Sequence, residues 1–286
     1  MTRTPPASLL VLGSVVSVQV GQAVGKQAFD LVPPAGVVTL RLGFAALVLL
    51  ALWRPRLPAD ARSAGLVVAF GTAIAGMNLV YPALAHLPLG VATSLQLLGP
   101  LAVALAGSRR PRDIGWALLA CAGVLLIGNP AGGPLPLAGV LLALGSGAAM
   151  GAYLLLSRRA GAATNDGSTL ALAVAWAAVV SLPFGIPAGG TDLLRPQVLA
   201  VGLAVAVLSA ALPYSLDLAA LRRLPPRTVG VLESLEPVVG ALAGLLLLAE
   251  LLGPGRWLAI ACITAASAGA VASARPARSP SVPAPT

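Results

Sequence analysis

Two stretches of this chain, ALAHLPLGVATSLQLLGPLAVALAG at 83–107 and ALRRLPPRTVGVLESLEPVVGALAG at 220–244, align with each other at a constant offset of 137 residues. Both place a proline at the same point, Pro100 or Pro237, and both end in ALAG. At a slightly larger offset the match continues with Trp116 and Trp257, Ala120 and Ala261, and Cys121 and Cys262. Shared proline, tryptophan and cysteine positions arise by chance less easily than shared leucines, so the chain is predicted to contain an internal repeat.

The composition predicts that both copies lie in a membrane. The 286 residues are 58% apolar and 9% charged, whereas soluble domains are about 45–50% apolar and about 25% charged. A helix that crosses the hydrocarbon core needs about 20 apolar residues. Short connections leave no room for a soluble nucleotide-binding or catalytic domain, so the predicted fold class is an all-α membrane protein. Its ten predicted transmembrane helices lie at 7–25, 35–53, 64–84, 88–106, 113–129, 135–156, 168–188, 197–219, 228–249 and 255–274.

The ten spans divide into two repeats of five, at 7–129 and 135–274, followed by a cytoplasmic tail at 275–286 whose proline and serine content predicts disorder. Because five is odd, the second repeat must enter the membrane from the opposite side. Most of the 18 lysines and arginines fall in segments that are cytoplasmic when both termini are inside. This placement explains the net charge of +9 without a nucleic-acid partner. Inverted repeats are typical of carriers whose central site faces each side in turn.

The motifs of other energy sources and chemistries are missing from the sequence. It has no GxxxxGK[ST] phosphate-binding loop, no HExxH, and a single histidine. ATP hydrolysis by this chain is therefore excluded as the energy source, and neither a cofactor nor a metal is expected. A distant alternative is an intramembrane enzyme acting on lipid, for which only Glu233 and Glu236 could supply paired acids.

Several stretches carry a resemblance to a known family. The span that includes TLRLGFAALVLL and the repeated LxxLxPxxxALAG element resemble the EamA-type carriers of the drug/metabolite transporter superfamily. The stretches VQVGQAVGKQAF, GMNLVY, LGPLAVALAGSRRPRD, LSAALPYSLDLAALRRLPPRTVG and LESLEP are similar to the branch that exports threonine, homoserine and similar amino acids. The resemblance runs from about residue 11 to 272. It implies a multi-pass protein of the bacterial inner membrane that exports small amino acids by proton antiport with alternating access. Export of another small metabolite, such as a purine or a different amino acid, is the alternative.

Arg41 is the one basic residue that lies well inside a predicted span. It lies six residues after Ala35, about 9 Å along a helix. A guanidinium in this position can hold the carboxylate of a substrate through two parallel hydrogen bonds. It can also serve as a structural clamp on the ends or carbonyls of neighbouring helices, and the sequence leaves both interpretations open.

Glu233 and Glu236 are the carboxylates that must lie well inside a span. Their i, i+3 spacing puts them on one side of the ninth helix, and the cost of a charge facing lipid predicts that this side faces the other helices. Pro237 has no N–H for the carbonyl of Glu233, which adds an acceptor beside the carboxylates. We expect the pair to bind substrate and to carry the coupled proton. The alternative is a proline kink with one glutamate paired to Arg223 or Arg227.

Four polar residues complete the predicted substrate site, and each lies near a proline that disturbs its helix. They are Asn78, Tyr81, Gln96 and Tyr214, and the helix-breaking prolines are Pro82, Pro100, Pro213 and Pro237. Gln96 is the repeat counterpart of Glu233, so a polar side chain with a freed carbonyl is expected once in each half. A hydrogen bond that only packs helices together is the alternative for each of the four. Asp217 is predicted to form a surface ion pair with Arg222 or Arg223.

Overall fold

The computed structural model describes residues 6–106, 111–128, 134–163 and 167–273, and this part of the chain contains helices and no strands. The helices are α1 (Ala7–Gln27), α2 (Pro34–Trp53), α3 (Ala61–Met77), α4 (Val80–Leu84), α5 (Leu89–Ala106), α6 (Pro111–Ile127), α7 (Leu137–Ala163), α8 (Ser168–Gly189), α9 (Pro196–Ala206), α10 (Leu212–Leu221), α11 (Pro226–Glu233), α12 (Glu236–Leu248) and α13 (Pro254–Ser273). The predicted tail at 275–286 and most of the predicted loop at 129–135 lie outside the described residues.

Nine stretches of the described chain are helical, apolar and at least 18 residues long, which is enough to cross a bilayer. They correspond to nine of the ten predicted spans, and three of them consist of two successive helices: α3 with α4, α9 with α10, and α11 with α12. The other predicted span, 113–129, corresponds to α6, which has 17 residues. An all-helical membrane protein is therefore confirmed, whereas the number ten stays a prediction.

Two of the predicted prolines follow irregular turns in the third and eighth spans. The third span is interrupted between α3 and α4, four residues before Pro82. The eighth passes through a π-helical turn at Val207–Ala211 immediately before Pro213. Proline has no N–H to close the turn that precedes it, so an interruption at these places is expected.

The prolines of the repeated element behave differently in the two halves. The ninth span is broken between Glu233 and Glu236, just before Pro237. Its repeat counterpart, Pro100, lies inside α5, which remains one helix from Leu89 to Ala106. The prediction that Pro100 breaks its helix is therefore wrong, because a single missing hydrogen bond can be tolerated where neighbouring helices support the backbone.

The helices of the two halves pack against each other around one core. α2 packs along α8, α5 along α7 and α12, α6 along α13, and α3 along α7 and α8. α1 contacts α9, α10, α11 and α12. α2 also meets α4 and the π-helical turn before α10, so the irregular parts of the third and eighth spans face the same helix. This helix carries Arg41.

Candidate functional site

Arg41 connects the irregular turns of the third and eighth spans. Its Nε donates to Ser209 Oγ at 2.6 Å, and Nη2 donates to the carbonyl oxygen of Ser209 at 2.9 Å. Nη1 donates to Asn78 Oδ1 at 2.6 Å. The guanidinium carbon also lies 5.6 Å from the ring centroid of Tyr81, within the range of a cation–π interaction. Arg41, Asn78 and Tyr81, three of the predicted site residues, are thus in direct contact.

The sequence around Ser209 explains why its carbonyl is available. In a regular helix that oxygen would accept a bond from the N–H of residue 213, but residue 213 is proline. The Arg41 side chain supplies the missing donor. The corresponding carbonyl of Asn78, four residues before Pro82, accepts instead from the N–H of Tyr81 at 3.0 Å, so the expected free carbonyl at Asn78 is occupied.

The Arg41 guanidinium is a cation held by neutral groups. Its three hydrogen bonds go to a hydroxyl, a carbonyl and an amide, and they use three of its five N–H donors. No carboxylate within the described chain lies at ion-pair distance from it. An uncompensated cation inside a bilayer is costly, and it favours the binding of an anionic group beside it.

Three carboxylates lie near one another, contributed by α10, α11 and α12. They are Asp217, Glu233 and Glu236, and each is close enough to the others for their charges to interact. Oδ1 of Asp217 is buried without a hydrogen-bond partner. The described residues contain no cluster arranged to hold a metal ion.

The surface pairings considered from the sequence are not formed. Arg222, Arg223 and Arg227 are exposed, and in the described part of the chain none of them makes an ion pair with Asp217 or Glu233. The expected Asp217 surface pair is therefore wrong. Asp217 instead lies beside the Ser14 hydroxyl of α1.

Two tyrosines lie between the cationic and acidic groups. The hydroxyl of Tyr214 is within electrostatic range of both Arg41 and Asp217. Tyr153 of α7 is within range of Tyr214, Asp217 and Glu233, and its ring stacks on Phe70 with centroids 5.1 Å apart. Electrostatic interactions therefore run from the guanidinium through these side chains to the carboxylates, and we call this series the polar path.

Gln96 lies apart from this path and ties helices together. Its Nε2 donates to Ser146 Oγ of α7 at 2.7 Å and makes a longer contact with the carbonyl of Met77 at 3.4 Å. Ser146 donates to the same carbonyl at 2.5 Å. Met77 is the last residue of α3. Gln96 and Ser146 therefore hold the end of this helix, and Arg41 holds the next residue, Asn78.

Sequence reasoning missed Ser209 and wrongly assigned Asp217 to a surface ion pair. Ser209 precedes Pro213 by four positions, as Asn78 precedes Pro82, and this shared spacing could have identified it. Asp217 follows Tyr214 by three positions on one helical face, a spacing that places both near the same neighbours. Tyr153 gave no signal in its own segment beyond its position within an apolar span.

Comparisons with known proteins identify the family of the chain. Residues 137–272 match the EamA-like transporter family. The chain is 41% identical over 272 residues to the threonine/homoserine exporter RhtA of Escherichia coli strain K12, which covers 93% of this chain and 92% of that protein. The identity and coverage are the same for RhtA of Salmonella typhimurium strain LT2. An uncharacterized transporter of Bacillus subtilis strain 168, YwfM, is 30% identical over 156 residues, which are 54% of this chain and 53% of that one.

The fold is also found in a solved structure. A crystal structure superposes with a TM-score of 0.62 at 22% identity, covering 93% of this chain and 96% of the other. Such an identity carries the fold alone, while the sequence relatives carry the family. The protein is therefore a member of the EamA-like transporter family, a multi-pass protein of the bacterial inner membrane related to the threonine/homoserine exporters.

Proposed function

We propose that this protein exports small amino acids of the threonine and homoserine type by proton antiport with alternating access. The relatives that cover nearly the whole chain are named threonine/homoserine exporters. The observation that carries the proposal is the separation of charge inside the bundle. Arg41 lies at one end of a polar path without an acidic partner in the described chain, and three carboxylates lie at the other end without a basic one.

A free amino acid has the complementary pattern of charge. Its carboxylate can bind the two N–H groups of Arg41 that the protein leaves over, next to Asn78 and Tyr81. Its ammonium group can bind Glu236 and Glu233. Tyr214 lies between the two ends and can donate a hydrogen bond to the substrate carboxylate or to Asp217. Gln96 belongs to this proposed site only through the Met77 carbonyl at its edge.

Proton coupling follows from the same carboxylates. An ionised Glu233 or Glu236 attracts the substrate ammonium, and a protonated one does not. Proton and substrate therefore compete for one place in the bundle. A carrier that changes sides only when one of them is bound exchanges the two across the membrane.

We further propose ten spans in two inverted repeats with both termini cytoplasmic. The helix contacts support this because contacts between the two halves recur when the two repeats are exchanged. The contact of α5 with α7 has its counterpart in α12 with α1, that of α3 with α7 in α10 with α1, and that of α3 with α8 in α9 with α2. Three other large contacts, α2 with α8, α5 with α12 and α6 with α13, join each span to its own counterpart, as a pseudo-twofold axis in the membrane plane requires. The contact of α5 with α13 has no counterpart of similar size within the described residues.

Reporter fusions test the topology. A reporter at residue 132 should be active on the outer side, and one at the carboxyl terminus on the cytoplasmic side. Signals from the same side would contradict the inverted ten-span arrangement.

Uptake into everted vesicles tests the transport activity. With an acidic interior, vesicles that contain the protein should accumulate radiolabelled threonine and homoserine, and they should not accumulate a labelled purine. Vesicles without the protein are the control. Accumulation of the purine alone would reject the amino-acid substrate, and accumulation that ignores the proton gradient would reject antiport.

A further inference from the structure

Lys26 and Glu250 form an ion pair that joins the two halves of the chain at one end of the bundle. Lys26 lies in the last turn of α1, Glu250 follows α12, and Nζ lies 2.7 Å from Oε1. The side chains are only 22% and 13% exposed. Lys26 also donates to the carbonyl of Leu87 at 2.7 Å, while Glu250 Oε2 accepts from the N–H of Leu89 at 2.8 Å. Because Leu89 begins α5, Glu250 also stabilises the amino end of that helix.

Helices α1, α5 and α12 are closed against one another at this end. One residue into α5, a β-carbon at Gly90 would stand 2.7 Å from Cα of Ala241 in α12, so the two backbones are nearly in contact. In addition, Gln27 Nε2 donates to the carbonyl of Leu247 at 2.8 Å.

We infer that this structure is the state closed at the outer face, and that Lys26 and Glu250 form the latch that keeps it closed. The inference rests on the topology and transport cycle proposed above. Opening the outer face requires α12 to separate from α1 and α5, which breaks the pair and removes Glu250 from the start of α5. Both charged groups gain water when they separate, so the latch shifts the equilibrium between two states without preventing exchange.

Cysteine accessibility measures this equilibrium in the full-length protein. Cys121 and Cys262 are replaced by serine, and a reporter cysteine is placed at Gln22, which is buried one turn before Lys26. A membrane-impermeant maleimide is then added from the outer face of cells. Lys26→Met and Glu250→Gln should each raise the labelling rate about tenfold, and the double variant should label no faster than the faster single variant. Lys26→Arg, which keeps the charge, should label slowly.

The second ion pair of the described chain supplies a matched control. Arg195 and Asp192 lie 2.8 Å apart in one turn at the same predicted face, but they are 65% and 44% exposed and join no helices of different halves. Asp192→Asn should leave the labelling rate unchanged. An equal increase in Asp192→Asn would overturn the latch in favour of a general effect of charge at the outer face.

Other outcomes are equally decisive. Unchanged labelling in Lys26→Met and Glu250→Gln, with thermal melting showing folded protein, would overturn the inference. An increase in Glu250→Gln alone would overturn the ion pair as the latch, because it would attribute the effect to the lost cap on α5. Should either variant fail to fold, Gln27→Leu removes one neutral bond at the same end and should raise the rate about twofold to threefold; an unchanged rate there would count against the latch. Labelling needs no substrate, so a failure of amino-acid export would not change these results.

Discussion

Arg41 Nη2 lies 2.9 Å from the carbonyl oxygen of Ser209, an oxygen that Pro213 leaves without its helical donor. A side chain of the second span thus fills a place that the backbone of the eighth span would normally fill. The same guanidinium reaches Asn78 at the helix break of the third span. One planar group therefore holds the interrupted spans of both halves and still has N–H groups left for an anion. In the proposed mechanism the same residue is a structural clamp and part of the substrate site.

Replacing Arg41 by lysine should damage both uses. A single ammonium group cannot reach Asn78 and both acceptors of Ser209, so at least one hydrogen bond of about 1.5–3 kcal/mol is lost. We expect a melting temperature several degrees lower and gradient-driven threonine uptake reduced at least tenfold. Arg56→Lys, a change at an exposed position, is the control. Normal uptake in correctly inserted Arg41→Gln protein would exclude a role in binding the substrate carboxylate.

Replacing Pro213 by alanine should separate stability from transport. The new N–H can bond to the Ser209 carbonyl, which removes a proline cost of about 3 kcal/mol but competes with Arg41. We expect an equal or higher melting temperature together with slower threonine uptake. Pro187→Ala, in an exposed part of α8, should raise stability without changing uptake. Wild-type uptake in Pro213→Ala would mean that the Arg41 contact with this carbonyl is dispensable.

The sequence predicts the class of fold, the span boundaries and most of the residues near the centre, because membrane helices are long and apolar and every polar residue within them requires an explanation. It does not predict that Arg41 joins Asn78 to Ser209, since serine is common in membrane helices and carries no signal of its own. It also misplaces Asp217, because the sequence does not show that this position of α10 faces Ser14 of α1 and not the basic loop. Pro100 and Pro237 occupy equivalent positions in the repeat, yet only the ninth span breaks. That difference depends on the neighbouring helices, which a single segment does not contain.

Gln19 provides a test of polar groups that the protein leaves unsatisfied. The residue is fully buried in α1, and neither atom of its amide has a hydrogen-bond partner. Such a group costs about 1–3 kcal/mol. Gln19→Met, which has a similar shape, should therefore raise the melting temperature by a few degrees. Gln96→Met should lower it, because the Gln96 amide is bonded to Ser146. A lower melting temperature in Gln19→Met would show that the amide is satisfied by water or another group in the membrane.

The two glutamates should be responsible for energy coupling. Glutamine is nearly isosteric with glutamate, so the change removes the titrating charge while the broken ninth span should still form. We expect Glu236→Gln to abolish accumulation driven by a pH gradient while retaining some exchange of labelled for unlabelled threonine. Glu233→Gln should be milder, because Glu233 ends α11 nearer the basic loop, whereas Glu236 begins α12 deeper in the bundle.

Vesicle assays with an imposed pH gradient, at equal protein levels, measure both activities in the same preparation. Asp192→Asn removes an exposed carboxylate at the other predicted face and should leave accumulation and exchange unchanged. Loss of exchange together with accumulation in Glu236→Gln would assign the residue to substrate binding alone. Full gradient-driven accumulation in the double glutamine variant would exclude both residues from proton transport. It would direct attention to Asp217, whose buried Oδ1 has no partner in the described chain.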